Sequence, residues 1–391
     1  MKQGTTRPAA LAVALLGAQS AWADESAPGS AATLPDVLAS SGITLSGYVD
    51  VSYQYLSGLG SFASGTADRV FDARHDSFTL HQAALTLAHQ PKEGFGVLVN
   101  LTAGQDAPVI KSYPNAGGSD FDVTQAYVQY ATGSLTLIGG KFVTLAGAET
   151  INPTTDTNFS RSILFGYAIP FTHTGLRASY ALSEQLSVTL GVNNGWDQVS
   201  DANSQKTLEY GLTFTPAKSF SVTVDGYAGR EPLGIANNVP SAAGGQRFLA
   251  DVVATWSVTD QITLVGNFDY GQQKDDSAGA AIGTYTWDGA ALYVDYTLTE
   301  QWSASLRAEL LDDRDGYRTG IVDASGRGQK WRELTLTLGY SPTKSFLLRF
   351  EGRYDKSDVA GAFVEGADSA GGAVRYDDNQ SSVALEGIYR F

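Results

Sequence analysis

Sixteen segments of the sequence alternate between apolar and polar residues, and this period of two constrains the fold more than any other feature. In the clearest segment, 43–55, Val49 and Tyr53 fall on one side while Asp50 and Gln54 fall on the other. A β-strand places successive side chains on opposite faces, so each segment is predicted to be a strand. The segments cover residues 43–56, 77–89, 95–106, 121–131, 134–145, 173–182, 185–197, 205–215, 219–231, 246–257, 261–273, 284–297, 301–312, 330–341, 345–356 and 378–391.

The connections between these segments alternate in length. Tight connections such as 132–134 and 341–345 alternate with longer ones that are rich in Gly, Asp, Asn and Ser. An even number of antiparallel strands with short turns at one end and long loops at the other is typical of a transmembrane β-barrel. We therefore predict an all-β fold over residues 43–391: a closed antiparallel transmembrane barrel of about 16 strands, with short periplasmic turns and long extracellular loops.

The placement of charges and aromatic rings favours this barrel over a soluble β-sandwich or propeller, which would also alternate. The polar face carries nearly all the charge in the middle of the strands, and the apolar face ends in Trp, Tyr and Phe. Aromatic rings at strand ends suit the two membrane–water interfaces. At the end with the tight turns these rings are Phe95, Tyr130, Tyr180, Phe214, Phe220, Trp256, Tyr296, Trp302, Tyr340, Phe346 and Tyr389.

The last segment, "SSVALEGIYRF", keeps its alternation to the final residue, Phe391. A bilayer offers no water to unpaired backbone groups, so a membrane-spanning sheet has to close on itself. The last strand is therefore predicted to pair with the first, which places Phe391 on the apolar face at the interface on the turn side.

Residues 1–23 have the features of a secretory signal peptide. Lys2 and Arg7 precede the apolar run 9–18, and Ala21 and Ala23 fit the small-residue cleavage rule. A transmembrane helix needs about 20 apolar residues, and this run is too short. We predict a signal peptide at 1–23, a short periplasmic segment at 24–42, and export to the outer membrane of a Gram-negative bacterium.

The composition narrows the classes of partner. The formal net charge is −15, and it becomes more negative when Lys2 and Arg7 leave with the signal peptide, which argues against nucleic acid as a partner. The chain has no Cys and only 4 His, so it is poorly supplied with soft metal ligands. We expect no metal site and no cofactor.

Several stretches carry a resemblance to a known family: "SGITLSGYVDVSYQY" at 41, "FDVTQAYVQY" at 121, "RSILFGYAIPFTHTG" at 161 and the closing "GIYRF". The sequence resembles the OmpL-like β-barrel porin family over nearly the whole mature chain, and the stretch at 161 is the most specific part. The resemblance implies an outer-membrane porin with a water-filled channel for passive diffusion of small hydrophilic solutes and ions. The terminal aromatic residue also resembles the C-terminal signal that the barrel-assembly machinery is thought to read.

Charged residues on the polar face are the candidate pore-lining residues. Acidic residues dominate the middle strands, and the last four strands interleave Arg with Glu, so that arcs of opposite charge are predicted to face each other. Such charges also serve simply as solvated or paired groups that fix strand register. The candidates are Asp50, Lys141, Arg177, Glu209, Asp225, Asp251, Asp269, Asp295, Arg307, Glu309, Arg349, Glu351, Arg353, Glu386 and Arg390.

The longest connection, 146–172, is the third on its side of the barrel. In general porins the third long loop folds inward and narrows the channel, and Glu149, Asp156 and Arg161 are the candidate constriction residues here. The alternative is a loop that packs over the rim.

Two breaks in the alternation predict local irregularities. A bulge at Gly139–Gly140 would turn Lys141 inward and Phe142 outward, which avoids a lysine facing lipid, and a second bulge is predicted near Gln82.

Signals of catalysis are weak. His75, Asp76 and Ser77 are adjacent in sequence, whereas a catalytic triad requires convergence in space, and "DDRDG" at 312 lacks the spacing of a calcium loop. We expect no enzyme. Two alternatives to a general porin stay open: a solute-specific outer-membrane channel, and a barrel without transport that acts as an adhesin or enzyme.

The same reasoning gives expectations about partners and topology. Outer-membrane lipid and lipopolysaccharide should surround the barrel, and a homo-oligomer is left open. Protease added to intact cells should cut within 146–172 or 357–377 but not near Lys92, Lys218 or Lys344. The excess of inward acidic residues predicts a modest preference for K⁺ over Cl⁻.

Overall fold

The computed structural model describes residues 38, 40–57, 69–116, 118–236, 238–241, 244–276, 283–367 and 374–391. The chain divides into a unit Met1–Ser41 and a unit Gly42–Phe391, and the second carries the fold. The predicted signal peptide, 1–23, and nearly all of the predicted segment 24–42 lie outside the described residues.

Sixteen antiparallel strands close into one barrel, as the alternating pattern predicts, and each strand pairs with its neighbour in chain order. The strands are β1 (Thr44–Leu56), β2 (Ser77–His89), β3 (Gly94–Ala103), β4 (Phe121–Thr132), β5 (Leu135–Val143), β6 (Thr172–Ala181), β7 (Leu186–Asn193), β8 (Thr207–Ala217), β9 (Phe220–Pro232), β10 (Gly244–Ser257), β11 (Ile262–Lys274), β12 (Thr284–Thr297), β13 (Trp302–Asp313), β14 (Lys330–Thr343), β15 (Phe346–Ser357) and β16 (Asn379–Arg390). All tight turns therefore lie at one end and all long loops at the other.

The barrel closes where the sequence predicts, between β16 and β1. Tyr48 pairs with Arg390, and the register continues without interruption to Leu56 opposite Ser382. Gly47 and Phe391 exchange two backbone hydrogen bonds of 3.0 Å, so pairing extends to the last residue. The Phe391 side chain is 60% exposed, as expected for a ring that faces the interface rather than the lumen.

The two faces of the wall differ in polarity. Outward-facing Leu, Val and Phe side chains are exposed, whereas the inward-facing Ser, Thr, Asp, Glu and Arg side chains are largely buried. The aromatic residues predicted at the turn end are exposed, except for Tyr340 and Phe346, whose side chains are partly covered. An apolar outer band bordered by aromatic rings is the surface that a bilayer requires.

In β2 and in β4, an extra residue interrupts the strand pairing, so that the side chains before and after it exchange faces. Asp50 pairs with Gln82 and Val51 with Leu80, which leaves His81 as an extra residue beside the predicted position, Gln82. A bulge that the sequence analysis missed lies in β4, where Asn100 pairs with Gln125 and Leu101 pairs with Val123.

The predicted bulge at Gly139–Gly140 is absent. β5 pairs in continuous register with both of its neighbours. Instead, Gly140 adopts a φ of +140°, and a Cβ there would collide with the backbone of Ala126 and Tyr127. Lys141 is buried, as its inward placement requires, but the outward placement of Phe142 was wrong because its ring is only 1% exposed.

Little regular structure lies outside the barrel. A single helical turn spans Ala107–Ile110, a π-helical turn spans Leu164–Ala168, and two small hairpins join Ile235–Ala236 to Val239–Pro240 and Phe363–Ala367 to Val374–Asp377. Among the described residues, no helix has the length and hydropathy needed to cross a bilayer.

Candidate functional site in the barrel lumen

Residues 144–171, the third long loop, lie inside the barrel and contact inner-wall residues from widely separated strands. The hydroxyls of Thr144 and Tyr227 of β9 lie 2.9 Å apart. Across the lumen, Asn158 Nδ2 donates to Thr337 Oγ1 of β14 at 2.6 Å, and Gln82 Nε2 of β2 donates to the Ile151 carbonyl at 2.9 Å. Of the two arrangements that the sequence left open, the loop therefore adopts the inward one.

Two wall carboxylates bind the main chain of the loop. Glu351 of β15 accepts the N–H groups of Phe159 at 2.7 Å and Ser160 at 3.0 Å. Glu309 of β13 accepts those of Ile163 at 2.7 Å and Leu164 at 3.2 Å. Hydrogen bonds to an ionised acceptor are about twice as strong as neutral ones, so these pairs fix the path of the loop.

Arg307 of β13 is fully buried and links the loop to the wall. Its guanidinium forms ion pairs with Glu149 of the loop at 2.7 Å and with Glu333 of β14 at 3.0 Å. It also donates to the Ser160 carbonyl at 2.6 Å. A buried arginine needs this degree of compensation, because an unpaired charge there would be costly.

The arginines of β15 make a similar arrangement. Arg349 pairs with Glu386 of β16 at 2.9 Å and donates to the carbonyls of Pro153, at 2.9 Å, and Asp156. Arg353 pairs with Asp355 at 2.8 Å and donates to the Arg161 carbonyl at 2.7 Å. The predicted arc of positive charge on the last strands is thus paired with acids and covered by the loop, so it does not face open water.

The charged residues of the loop are all buried. Asp156 lies 3.1 Å from Arg161, and its other oxygen accepts the Thr150 N–H at 2.9 Å. Burial raises the pKa of Asp156 to about 7, although Arg161 acts in the opposite direction. Arg161 also donates to the Ile151 carbonyl at 3.0 Å and stacks over the Phe71 ring at 5.7 Å. These side chains hold the loop in its inward conformation.

Acidic residues without ion-pair partners lie on a neighbouring part of the wall, on β9–β11. Asp251 of β10 is flanked in register by Asp225 of β9 and Asp269 of β11, and all three are buried. Asn267 Nδ2 donates to Asp251 at 2.6 Å, but both side-chain oxygens of Asp225 and of Asp269 lack a hydrogen-bond partner among the described residues. This wall therefore carries uncompensated negative charge when the carboxyls are ionised.

The remaining candidates take local partners or none. Arg177 pairs with Glu209 at 2.5 Å, and Lys141 pairs at 2.9 Å with Asp122, which the sequence analysis did not single out. Asp295 accepts a hydrogen bond from Ser305. Asp50 is buried with one carboxylate oxygen unpartnered, and Arg390 is partly buried at the turn end of the barrel.

The sequence analysis missed a group of inward-facing aromatic residues. They pack against Leu164, Phe165 and Ile169 of the loop in one apolar cluster inside the barrel. The available signal was parity, because each lies on the same face of its strand as the inward Asp, Glu or Thr residues. These residues are Tyr227, Trp287, Tyr293 and Trp331.

The first long loop also contributes groups that no pattern indicated. Arg69 forms ion pairs with Asp72 at 2.7 Å and with Asp355 at 2.5 Å, and it donates to Ser382 Oγ at 2.9 Å. A loop residue reaches such partners only through the folded chain, so its sequence context carries no trace of them.

Water reaches one part of the inner wall more than another. The inward side chains of β13–β16, including Thr335 and Thr337, are buried beneath the loop. In contrast, Ser179, Thr189 and Thr213 on β6–β8 are partly exposed on the lumen side. The water-accessible strip of the lumen therefore covers the turn-end part of β6–β8, since His173, Asn193 and Thr207 toward the loop end of these strands are buried.

The adjacent His75, Asp76 and Ser77 do not converge. His75 Nδ1 accepts the Leu56 N–H at 3.1 Å, Asp76 accepts the Tyr53 hydroxyl, and Ser77 Oγ donates to the Phe78 carbonyl at 3.1 Å. Within the described part of the chain, no cluster of three or more His, Asp or Glu side chains has the arrangement of a metal site.

Comparison with known proteins gives one family and a set of shared folds. A profile of the family described as "Putative beta-barrel porin-2, OmpL-like" matches residues 42–391. No curated protein matches the sequence significantly.

Solved structures with this fold include the outer membrane channel DcaP of Acinetobacter baumannii, at 15% identity, a TM-score of 0.59 and coverage of 89% of this chain and 97% of that one. An anion-selective porin from Comamonas acidovorans matches at 11% identity and a TM-score of 0.59, covering 89% and 99%. The trimer form of OmpT from Vibrio cholerae matches at 11% identity and a TM-score of 0.57, also covering 89% and 99%.

Proposed function

Because the chain belongs to this family of β-barrel porins, it is an outer-membrane channel, and we propose that it passes small hydrophilic solutes and ions by passive diffusion. The observation that carries the proposal is the polar, partly exposed strip on β6–β8, which lies beside an inward-folded loop in a closed barrel. Barrels of 16 or more strands are wide enough for an aqueous channel.

The third long loop sets the cross-section of this channel. It covers the inner faces of β13–β16, held there by Glu309, Glu351 and Arg307, and leaves the strip on β6–β8 as the route for solutes. The acids of β9–β11 are buried in the wall next to these strands without ion-pair partners among the described residues, whereas the arginines of the last strands are paired.

A solute-specific channel is the second candidate, and the extent of the loop's contacts favours it. A loop that fills much of the lumen leaves a narrow passage, and narrow passages discriminate by shape and charge. A barrel without transport activity, such as an adhesin or an enzyme, is the third candidate and predicts no conductance at all.

We propose a setting that is consistent with the family and with the exterior of the barrel. Residues 1–23 direct export, residues 24–42 lie in the periplasm, and the aromatic and apolar exterior contacts lipid and lipopolysaccharide. The β16 strand, with Phe391 at its end, is the segment that the barrel-assembly machinery would bind. A homo-oligomer is consistent with this arrangement, as OmpT of Vibrio cholerae adopts a trimer form.

Conductance in a planar lipid bilayer, together with liposome swelling in a panel of sugars and amino acids, tests the proposal. A current that rises linearly with solute concentration supports the general channel. A current that saturates with one class of solute supports the specific channel. The absence of current from a correctly folded, heat-modifiable barrel would refute both.

A further inference from the structure

A cavity of about 370 Å³ opens at the end of the barrel that carries the long loops, beside the last residues of the third long loop. It lies between the loop after β3, the loop after β7, the end of β9 and the loop after β13. Its charged lining residues are Lys111, Asp197, Glu231, Arg247 and Arg318. Its volume falls within the range of about 300–1,000 Å³ that is usual for small-molecule sites.

Two arginines in this cavity lack carboxylate partners. Neither Arg247 nor Arg318 forms an ion pair within the described residues, although most other buried arginines of the chain do. Arg247 donates to Gln273 at 2.6 Å and to the Tyr317 hydroxyl at 2.5 Å, both neutral groups. Among the described residues, the Arg318 side chain donates one hydrogen bond, from Nε to the Tyr167 carbonyl.

The two guanidinium groups approach the same aromatic ring. Arg247 lies 4.8 Å and Arg318 5.3 Å from the centroid of Trp196, and Arg318 lies 5.2 Å from that of Trp287. Burial, and after it the charge of Arg247, lowers the pKa of Arg318. The repulsion between two like charges held this close is reduced when an anion binds between them.

The acids at the cavity are occupied by other donors. Asp197 Oδ1 accepts the N–H groups of Phe171 at 2.8 Å and Thr172 at 3.0 Å. Glu231 accepts from Gln198 at 2.8 Å and Thr207 at 2.5 Å. Asp313 lies at the end of β13. Its carboxylate accepts a hydrogen bond from the backbone N–H of Arg318 and forms no ion pair with the Arg318 guanidinium. Glu231 still interacts electrostatically with Arg247, and Asp197 and Asp313 with Arg318, so the acids offset part of the positive charge. Because three basic and two acidic residues line the cavity, a net positive charge remains.

From this geometry we infer that the cavity binds a small organic anion, a carboxylate attached to a flat apolar body. Arg247 and Arg318 would bind the carboxylate, with Lys111 adding positive charge at the rim. Tyr113, Pro232, Leu233 and Ile235 would contact the apolar body. The inference deepens the proposed function by naming a class of solute, and it rests on that proposal in treating the cavity as part of the channel mouth.

Isothermal titration of the purified, folded barrel with benzoate tests the inference. Benzamide, which has the ring without the charge, and acetate, which has the charge without the ring, should each bind at least roughly tenfold more weakly, because each makes only part of the contacts. Equal binding of benzoate and benzamide, or no binding of benzoate at millimolar concentration, would overturn the inference.

Variants locate the site. Arg247→Gln and Arg318→Gln should each weaken benzoate binding by roughly tenfold, because a charge-assisted hydrogen bond is lost. Arg314→Gln is the matched control, since Arg314 lies in the same loop, is exposed and pairs with Asp288 outside the cavity. Unchanged affinity in folded Arg247→Gln and Arg318→Gln proteins would overturn the assignment.

A rim variant covers the case in which the buried arginine variants do not fold. Lys111 is partly exposed at the cavity, so Lys111→Glu should leave folding intact and weaken benzoate binding several-fold through repulsion. Unchanged affinity would count against the site. Conductance is measured separately: a protein that conducts without binding benzoate overturns only this inference, and one that binds without conducting overturns only the proposed channel.

Discussion

Arg307 of β13 and Glu149 of the third long loop meet in a buried ion pair of 2.7 Å, although 158 positions separate them in the chain. Glu149 also accepts the Ser162 N–H at 2.7 Å and a hydrogen bond from Tyr293 at 3.2 Å. One pair thus connects two wall strands to both arms of the loop. If the loop sets the cross-section of the channel, the position of the loop should depend strongly on this ion pair.

Replacing Arg307 should open the channel. Removing one partner of a buried ion pair costs about 3–5 kcal/mol, so Arg307→Gln should release the loop and raise single-channel conductance by a factor of roughly two. Arg332→Gln is the control, because Arg332 lies on the neighbouring strand with an exposed side chain. Equal conductance of Arg307→Gln and the unmodified protein in planar bilayers would contradict a constriction role for the loop.

A covalent link between loop and wall should reverse this effect. The chain has no cysteine, so Asn158→Cys with Thr337→Cys introduces a single reactive pair where the side chains now lie 2.6 Å apart. In the Arg307→Gln background, oxidation or a short bifunctional thiol reagent should restore the lower conductance. Reductant should raise it again after oxidation. If the conductance were the same with and without the covalent link, loop movement would not control the pore.

Lowering the pH should stabilise the inward conformation of the third long loop, because Asp156 takes up a proton there. Its carboxyl has a pKa of about 7 when the loop is seated, whereas a carboxyl in water titrates near 4, so seating binds a proton between these values. The stability of the seated loop is therefore greatest at low pH and falls as pH rises toward 7. Conductance should fall when the pH is lowered from about 8 to about 5.

The neutral variant Asp156→Asn isolates this contribution. It should remove most of the pH dependence and hold the conductance near its low-pH value. Asp323→Asn is the control, because Asp323 is partly exposed in a loop and hydrogen bonds from Ser325 lower its pKa to about 2, so it stays ionised throughout. A pH response that survives in Asp156→Asn would assign the titration to another group.

The topology can be read by cysteine labelling of intact cells. A membrane-impermeant maleimide should label Ala324→Cys, in an exposed long loop, without any treatment. Lys218→Cys, in a tight turn, should react only after the outer membrane is made permeable. Labelling of the turn alone in intact cells would invert the orientation.

The structure changes one expectation about accessibility. The sequence analysis predicts cleavage by protease within 146–172, but in the structure Phe159, Ser160 and Arg161 are buried inside the barrel. We now expect this segment to resist protease and Ser160→Cys to react slowly from either side. Rapid cleavage there would mean that the loop leaves the lumen in the membrane.

The small-ion selectivity should be modestly cationic. Asp225, Asp251 and Asp269 form no ion pair within the described wall, whereas Arg349 and Arg353 are paired, so at a pH high enough to ionise these buried carboxyls the reversal potential in a salt gradient should favour K⁺ over Cl⁻. The preference should shrink toward about 1 M salt, where the screening length is about 3 Å. Asp251→Asn and Asp269→Asn should reduce it, and a Cl⁻ preference at low salt would contradict this reading.

The sequence determined the barrel because membrane-spanning strands obey a local rule. Each strand presents alternate residues to lipid and to the lumen, so the pattern, the number of strands and the closing role of β16 could all be read along the chain. The strand ends were less well predicted: the segment 185–197 forms a strand only over Leu186–Asn193. The pattern showed a break near Gly140 but not its form, because a positive φ that keeps the register and a bulge both reorient Lys141.

Only the tertiary structure decided what fills the barrel. The parity of Glu309, Glu351 and Arg307 showed that they face inward, but their partners include backbone groups of residues 159–164, which no sequence period can indicate. The position of Trp196 beside Arg247 and Arg318 could not be predicted from the sequence either, because that cavity is formed by three separate loops together with strand ends. Contacts between distant segments depend on how the loops fold back into the closed wall, and that geometry exists only once the barrel has formed.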